Sequence, residues 1–477
     1  MAKEINLLAV DLGASNGRTI LGKFDGKKLE LEVTHNFPNG GEYIGDNFYW
    51  NILGLYSEIK TGLKKAVEIS DGDIISMGID TWGVDYGLLD KNGDLLSMPY
   101  HYRDSRTNDM EAKVFEKIDR EKVYQETGIQ FMAINTLYQI YTDLINRPWV
   151  LDSTESFLFI PDLLNYFLTA KKYNELTIAS TSQMFNPHTN KWSDEIFEKL
   201  DLPIEIMQEI IQPGNKIGNL LENVKKECAI NNEISVIAVG SHDTASAVAA
   251  TPLIGENSIY ISSGTWSLLG IELDEPLINK KSLEENFTNE LGVGGKVRYL
   301  KNITGLWLIQ ECKRIWDREG LNLSYSEISK AAEEAEAFIY RVNPDDPLFV
   351  APDNMVEAIK EYCRKTDQKI PETVGEIARG IYESLAFAYG SVIDRLEEML
   401  DKEINTINMV GGGIQAEILC QYTADLTSRR VLAGPIEATA IGNILTQLIG
   451  LGEVRDLSEA REIVRNSIEL KEYLPRN

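Results

Sequence analysis

Short apolar runs broken by Gly, Ser and Asn open the chain. Leu7–Leu12, Thr19–Phe24 and Leu29–His35 read as strands joined by tight turns. Leu55, Ile59, Leu63 and Val67 then recur at helical spacing, predicting a helix over Leu53–Val67. Strands are expected at Ile74–Ile79 and Val84–Leu89, with Asn92-Gly93 turning the chain before Leu95–Met98. From Asn108 to Thr169 the pattern is mainly helical, and Pro161 opens a helix running to Phe167. A strongly apolar strand, Ile234–Val239, runs into Gly240-Ser241-His242-Asp243-Thr244 and an Ala-rich helix, Ala245–Ala250.

The opening logic then recurs. Ser258–Ser262 and Ser267–Leu273 read as strands around a second Gly turn, followed by helices at Gly305–Trp316, Ser326–Ala335 and Thr373–Leu400. Thr406–Val410 is a short strand entering Gly411-Gly412-Gly413, before a helix Ile414–Ser428 and a strand Arg430–Ala433. Two α/β halves follow, 1–244 and 245–477, each beginning with a strand hairpin. A chain of 477 residues exceeds one ordinary core and agrees with two domains.

Composition narrows the function. With 43% hydrophobic and 25% charged residues the chain reads as an ordinary globular protein, expected in the cytoplasm without signal or membrane span. The formal net charge of -27 argues against nucleic acid or an anionic membrane as partner. The four cysteines, Cys228, Cys312, Cys363 and Cys420, form no CxxC, and the four histidines form no HxxxH. Reduced thiols, rather than a zinc site, are expected.

Chemistry concentrates in the turns. Asp11-Leu12-Gly13-Ala14-Ser15-Asn16-Gly17-Arg18 and Ser262-Ser263-Gly264-Thr265-Trp266-Ser267 each place backbone N–H groups and hydroxyls where a phosphate chain needs them. Asp11 suits a hydrated Mg²⁺ beside such a cradle, or caps its own turn. Arg18 is a phosphate partner or a solvated strand residue. Asp243, between the two hairpins in sequence, is a base for a substrate hydroxyl or the N-cap of the helix it opens. His242 reads as a sugar contact or a structural histidine. In Asp80–Asp85, Trp82 offers a flat face for a sugar and Gly83 lets backbone approach a ligand, unless the segment is only a hairpin corner. Tyr102–Thr107 suits polyol recognition or an interlocked loop. No GxxxxGK[ST] occurs, and the glycines at 411–413 lack GxGxxG spacing, so neither a P-loop nor a dinucleotide fold is expected.

Together these segments, with Gly240–Val248 and Leu300–Gln310, resemble the FGGY carbohydrate kinases over nearly the whole chain, from about Leu8 to Leu445. The phrases Gly-Ile-Asp-Thr-Trp-Gly-Val-Asp, Tyr-Arg-Asp-Ser-Arg-Thr and Ser-His-Asp-Thr-Ala-Ser-Ala-Val are similar to the branch of that family acting on L-rhamnulose. The resemblance implies two actin/hexokinase-like (ribonuclease H-like) α/β domains with an interdomain catalytic cleft. It implies Asp243 as proton acceptor and Asp11 at the metal. Ala14, Ser15, Asn16, Gly17, Arg18, Thr265, Gln310 and Gly412 are implied at ATP; Gly83, His242, Asp243, Thr244 and Asn302 at the sugar. The implied reaction makes L-rhamnulose 1-phosphate and ADP from L-rhamnulose and ATP with Mg²⁺, in a monomer or small homo-oligomer. Two rivals share the hairpins. A chaperone-like ATPase would leave the sugar-facing residues without a ligand and needs a peptide-binding extension that the sequence does not display. A kinase for another ketose, such as fuculose or xylulose, differs only in specificity.

Overall fold

A computed structural model describes residues 4–254, 257–350 and 352–476. Contacts group the chain into two compact units: Met1–Ala250 with Glu272–Tyr299 and Ala438–Ser467, and Thr251–Ile271 with Leu300–Glu437 and Ile468–Asn477. The expected division at residue 244 treats the halves as consecutive; contacts instead return two later stretches to the first.

The first unit is built on a six-stranded sheet, in the order Lys216–Asn219, Ser235–Ile237, Ile74–Thr81, Ile5–Leu12, Asn16–Phe24, Leu29–Pro38. Ile5–Leu12 pairs antiparallel with Asn16–Phe24 and parallel with Ile74–Thr81. The apolar run Leu7–Leu12 has a direct outcome: Leu8, Val10 and Leu12 join one core cluster with Leu55, Ile59 and Leu63 of the helix Ile52–Ile69. Each such buried side chain contributes about 1.5–3 kcal/mol. Asn51 caps this helix, accepting from the Gly54 N–H.

Two helices of this unit were not legible in the sequence, Ala438–Leu451 and Leu457–Ser467. The first is buried on most of its surface, so it has no polar stripe to set a period. It packs on the strands Ile5–Leu12 and Ile74–Thr81 and on the helix Asp243–Ala249. Gly442 is what allows the last contact, because a Cβ there would lie 1.8 Å from the Ser246 carbonyl oxygen.

The second unit repeats the pattern. Ser258–Ser263 pairs antiparallel with Trp266–Leu273 and parallel with Thr406–Val410, which pairs parallel with Arg430–Ala433. The long helix Val374–Leu400 begins at a capping box in which Thr373 and Glu376 satisfy each other's backbone N–H, and it packs on Tyr325–Glu334 and Glu417–Thr427. All expected strands of both hairpins are present. Two boundaries move for backbone reasons: the strand expected from Val84 starts at Tyr86 because Val84 sits at φ +67, and the helix expected from Ile414 starts at Glu417 after a 3₁₀ turn, Gly412–Gln415. All four cysteines are buried and unpaired.

Candidate active site

In the first unit three carboxylates converge through strand ends. Asp11 and Asp80 are direct partners in the parallel pair, and Asp243 follows the Ser235–Ile237 strand by way of Gly240–His242. The Thr81 N–H donates to the Ser241 carbonyl at 2.9 Å, and the Trp82 N–H to that of Leu12 at 3.2 Å. These bonds tie the three segments together at one end of the sheet. Arg18, opposite Asp11 across the hairpin, donates to Asp11 Oδ2 at 2.6 Å. Arg18 is thus an ion-pair partner of Asp11. Burial, reinforced by Asp11 and then by Asp243, pushes the Asp80 carboxyl well above the usual range, against a 2.6 Å bond from Asn443 Nδ2.

The turn Gly13–Ser15 lies at the surface beyond these carboxylates; Asn39 holds it by donating to the Gly13 carbonyl at 2.7 Å and, through its own N–H, to that of Ser15 at 3.1 Å. Ala14 packs partly against the core, while Ser15 and Asn16 are exposed.

Asp243 is the first residue of the helix Asp243–Ala249; His242 occupies the N-cap position and makes no side-chain cap bond. The Asp243 carboxylate, 31% exposed, accepts from the Thr244 hydroxyl at 3.0 Å and lies 3.5 Å from His242 Nε2. Gly83 is beside the same ring, where an added Cβ would come 3.4 Å from Nε2. Gly83, His242, Asp243 and Thr244 are thus brought together as expected.

Glu175 supports this segment from behind. Its carboxylate accepts from Thr177 N (2.9 Å), Thr177 Oγ1 (2.6 Å), Ile178 N (3.1 Å) and Ser241 N (3.2 Å), and Thr177 Oγ1 accepts from the His242 N–H at 3.2 Å. Burial nevertheless pushes Glu175 up to about 7. Locally Glu175 is the N-cap of the short helix Leu176–Ala179; its link to the site runs through Ser241, 66 residues away, which the local sequence does not mark.

Asp85 is the other residue whose importance the sequence understated. Its Oδ2 accepts from Trp50 Nε1 (2.6 Å), Trp82 Nε1 (3.0 Å) and the Tyr102 N–H (3.1 Å), and Oδ1 from Gln139 Nε2 (2.8 Å). Trp82, expected to offer a face to the sugar, is buried and stacks on Trp50 at a centroid distance of 3.8 Å. For Tyr102–Thr107 the interlocked reading holds. Asp104 caps the turn Ser105–Thr107 and accepts from the Phe48 N–H at 2.6 Å, while Arg106 bridges Asp143 and Gln139.

In the second unit Thr265 tops the hairpin and donates to Gln310 Oε1 at 3.1 Å. The turn is pinned to the start of the next helix, for the Gly305 N–H donates to the Thr265 carbonyl at 3.0 Å and the Leu306 N–H to that of Gly264 at 2.9 Å. Asn302 lies on the strand Val297–Thr304 leading into that junction. The three late glycines separate clearly. An added Cβ at Gly413 would lie 2.1 Å from Ser263 Oγ, and one at Gly411 2.9 Å from the Ser263 carbonyl oxygen. At Gly412 nothing is nearer than 4.0 Å. Only Gly412 leaves space for an incoming group.

The fold and these turns have known counterparts. The FGGY family of carbohydrate kinases, N-terminal domain, matches residues 6–250, and its C-terminal domain matches 259–451. The chain belongs to the FGGY family of carbohydrate kinases. Among curated relatives, the rhamnulokinase of Bacteroides thetaiotaomicron is 45% identical over 99% of this chain and 96% of its own length. Rhamnulokinases of Oceanobacillus iheyensis and Bacillus subtilis are 43% and 40% identical, each over 98% of this chain and 97% and 95% of their own lengths. Among solved structures, xylulose kinase from Lactobacillus acidophilus superposes with a TM-score of 0.79 at 15% identity, covering 99% of this chain and 94% of that one. Glycerol kinase from Plasmodium falciparum with ADP gives 0.77 at 16% identity, covering 100% and 95%. At such identities these two speak for the fold alone. Among the described residues no helix is long and apolar enough to cross a membrane.

Proposed function

We propose that this chain transfers the γ-phosphoryl group of ATP to the C1 hydroxyl of L-rhamnulose, giving L-rhamnulose 1-phosphate and ADP in the degradation of L-rhamnose. Asp243 takes the hydroxyl proton as that oxygen bonds to the γ-phosphorus. The bond from phosphorus to the β–γ bridging oxygen breaks, and ADP leaves with the electron pair. The observation that carries this reading is the idle cap: His242 fills the N-cap position, and the Asp243 carboxylate is partly exposed and, among the described residues, paired with Thr244 and His242. Gly83, His242 and Thr244 beside it are sugar contacts in this reading, and Asn302 is a further one. Ala14, Ser15, Asn16, Gly17 and Arg18 are assigned to the nucleotide, as are Thr265, Gln310 and Gly412, their amides and hydroxyls offsetting the acidic field of the chain locally.

A magnesium ion fits the donor set. Asp11 and Asp80 offer hard carboxylate oxygens, and Asp80 Oδ1 is buried without a hydrogen-bond partner. Among the described residues no group of three or more His, Cys, Asp or Glu is arranged to hold a metal directly, which suits an ion retaining water and phosphate ligands. Such an ion would neutralise phosphate charge; Asp11 would orient its water, with Arg18 fixing the Asp11 carboxylate. ATP as donor supports a cytoplasmic reaction.

The test is a panel of ketoses and aldoses with ATP, comparing kcat/KM and locating the phosphate on the product. L-rhamnulose should be preferred, with phosphate on C1. ADP release that needs no sugar would support the hydrolase rival. Equal or better turnover of another ketose would move the specificity, which one methyl contact sets by only about 1–3 kcal/mol.

A further inference from the structure

Two buried charged residues with no role in the chemistry above touch the ring of His242. Arg298, on the strand Val297–Thr304, is fully buried, and Glu290, on Thr288–Leu291, is 5% exposed at its side chain. Arg298 Nη2 lies 3.3 Å from His242 Nδ1, 3.2 Å from the Leu291 carbonyl oxygen and 3.1 Å from Glu290 Oε2. Its Nε also donates to the Leu291 carbonyl, at 3.3 Å. Glu290 Oε2 stands 3.3 Å from the same Nδ1. On the opposite edge of the ring, Nε2 faces Asp243 Oδ1 at 3.5 Å.

A guanidinium is always protonated and never accepts a hydrogen bond. Against Arg298, Nδ1 must present its lone pair, so the proton of a neutral ring sits on Nε2. Hydrogen on Nδ1 would instead be set against an Arg298 N–H across 3.3 Å. The ring state that fits Arg298 therefore carries its hydrogen on Nε2.

We propose that Arg298, anchored by Glu290 and the Leu291 carbonyl, is a positioning residue that holds His242 as a hydrogen-bond donor at Nε2. His242 then donates to an oxygen of the bound ketose or to Asp243 and does not compete for the proton that Asp243 receives. Resting on the sugar kinase reading, this adds the direction of one hydrogen bond in the sugar site, set by the partner of the other ring nitrogen.

The test begins with ¹⁵N-labelled protein without ligands, the His242 ring being assigned by comparison with His242→Gln. Long-range ¹H–¹⁵N correlations should show a protonated Nε2; a bare Nε2 beside a protonated Nδ1 overturns the proposal. The double variant Arg298→Met/Glu290→Gln, which removes both buried charges together, should lose this preference and raise the KM for sugar about tenfold, leaving the KM for ATP within about twofold. Arg298→Lys keeps a permanent donor and should stay close to wild type in both readouts. A folded double variant with an unchanged ring tautomer also overturns it. If the double variant fails to fold, the wild-type spectrum alone decides. Because that spectrum needs no sugar, a wrong substrate assignment and a wrong tautomer give separate results.

Discussion

Asp11 and Asp80 stand side by side in the register of the parallel strands Ile5–Leu12 and Ile74–Thr81. Burial, reinforced by repulsion from Asp11, makes Asp80 keep its proton to higher pH than an ordinary carboxyl. One arginine, Arg18, sits on Asp11. The arrangement is poised for added positive charge.

Asp11→Asn keeps the shape of the side chain and removes one charge. The Mg²⁺ concentration giving half-maximal rate should rise about tenfold, equivalent to about 1.4 kcal/mol of binding. Rate measurements across a Mg²⁺ titration check this; an unchanged midpoint would confine Asp11 to its pairing with Arg18.

Asp243→Asn should still bind sugar and ATP but turn over about 10² to 10⁴-fold more slowly, the usual contribution of a positioned base. Calorimetric binding alongside kcat separates the effects. Near-normal kcat would leave Asp243 with no part in proton transfer.

Gly412→Ala and Gly413→Ala should differ in kind. At 413 the methyl meets Ser263 Oγ, and overpacking of this sort costs about 1–3 kcal/mol, visible as a lower Tm. At 412 the methyl enters open space, so stability should change by no more than roughly 0.5 kcal/mol while the KM for ATP rises. Equal Tm losses would remove the distinction between the two glycines.

Glu175 gives a pH signature of stability. Its pKa is about 7 folded against 4.5 for the ordinary group, so between those values the folded chain binds more protons than the unfolded one. Stability contributed at this site therefore falls as pH rises through that window, by on the order of 3 kcal/mol in all. Denaturant unfolding at pH 5 and pH 8 should show a smaller difference for Glu175→Gln than for wild type. An identical difference in the two proteins would mean that Glu175 titrates normally.

What the chain announces by itself is local. Short apolar runs and the Gly, Ser, Asn and Thr turns between them determine both hairpins, because run length and turn chemistry are properties of neighbouring residues. The two Gly-containing turns, Gly83 and the run His242-Asp243-Thr244 are legible for the same reason. Tertiary structure alone decided the rest. Helix Ala438–Leu451 is buried nearly all round, so its sequence carries no face, and its place beside Ile5–Leu12 follows from packing across more than 400 residues. Whether Asp243 caps a helix depended on where the first helical turn closed, and whether Trp82 faces a sugar depended on Trp50 and Asp85. Glu175, Glu290 and Arg298 are isolated charges in the sequence. Each acquires its role through hydrogen bonds or ion pairs to residues 48 or more positions away, and desolvation makes those partners obligatory in the core.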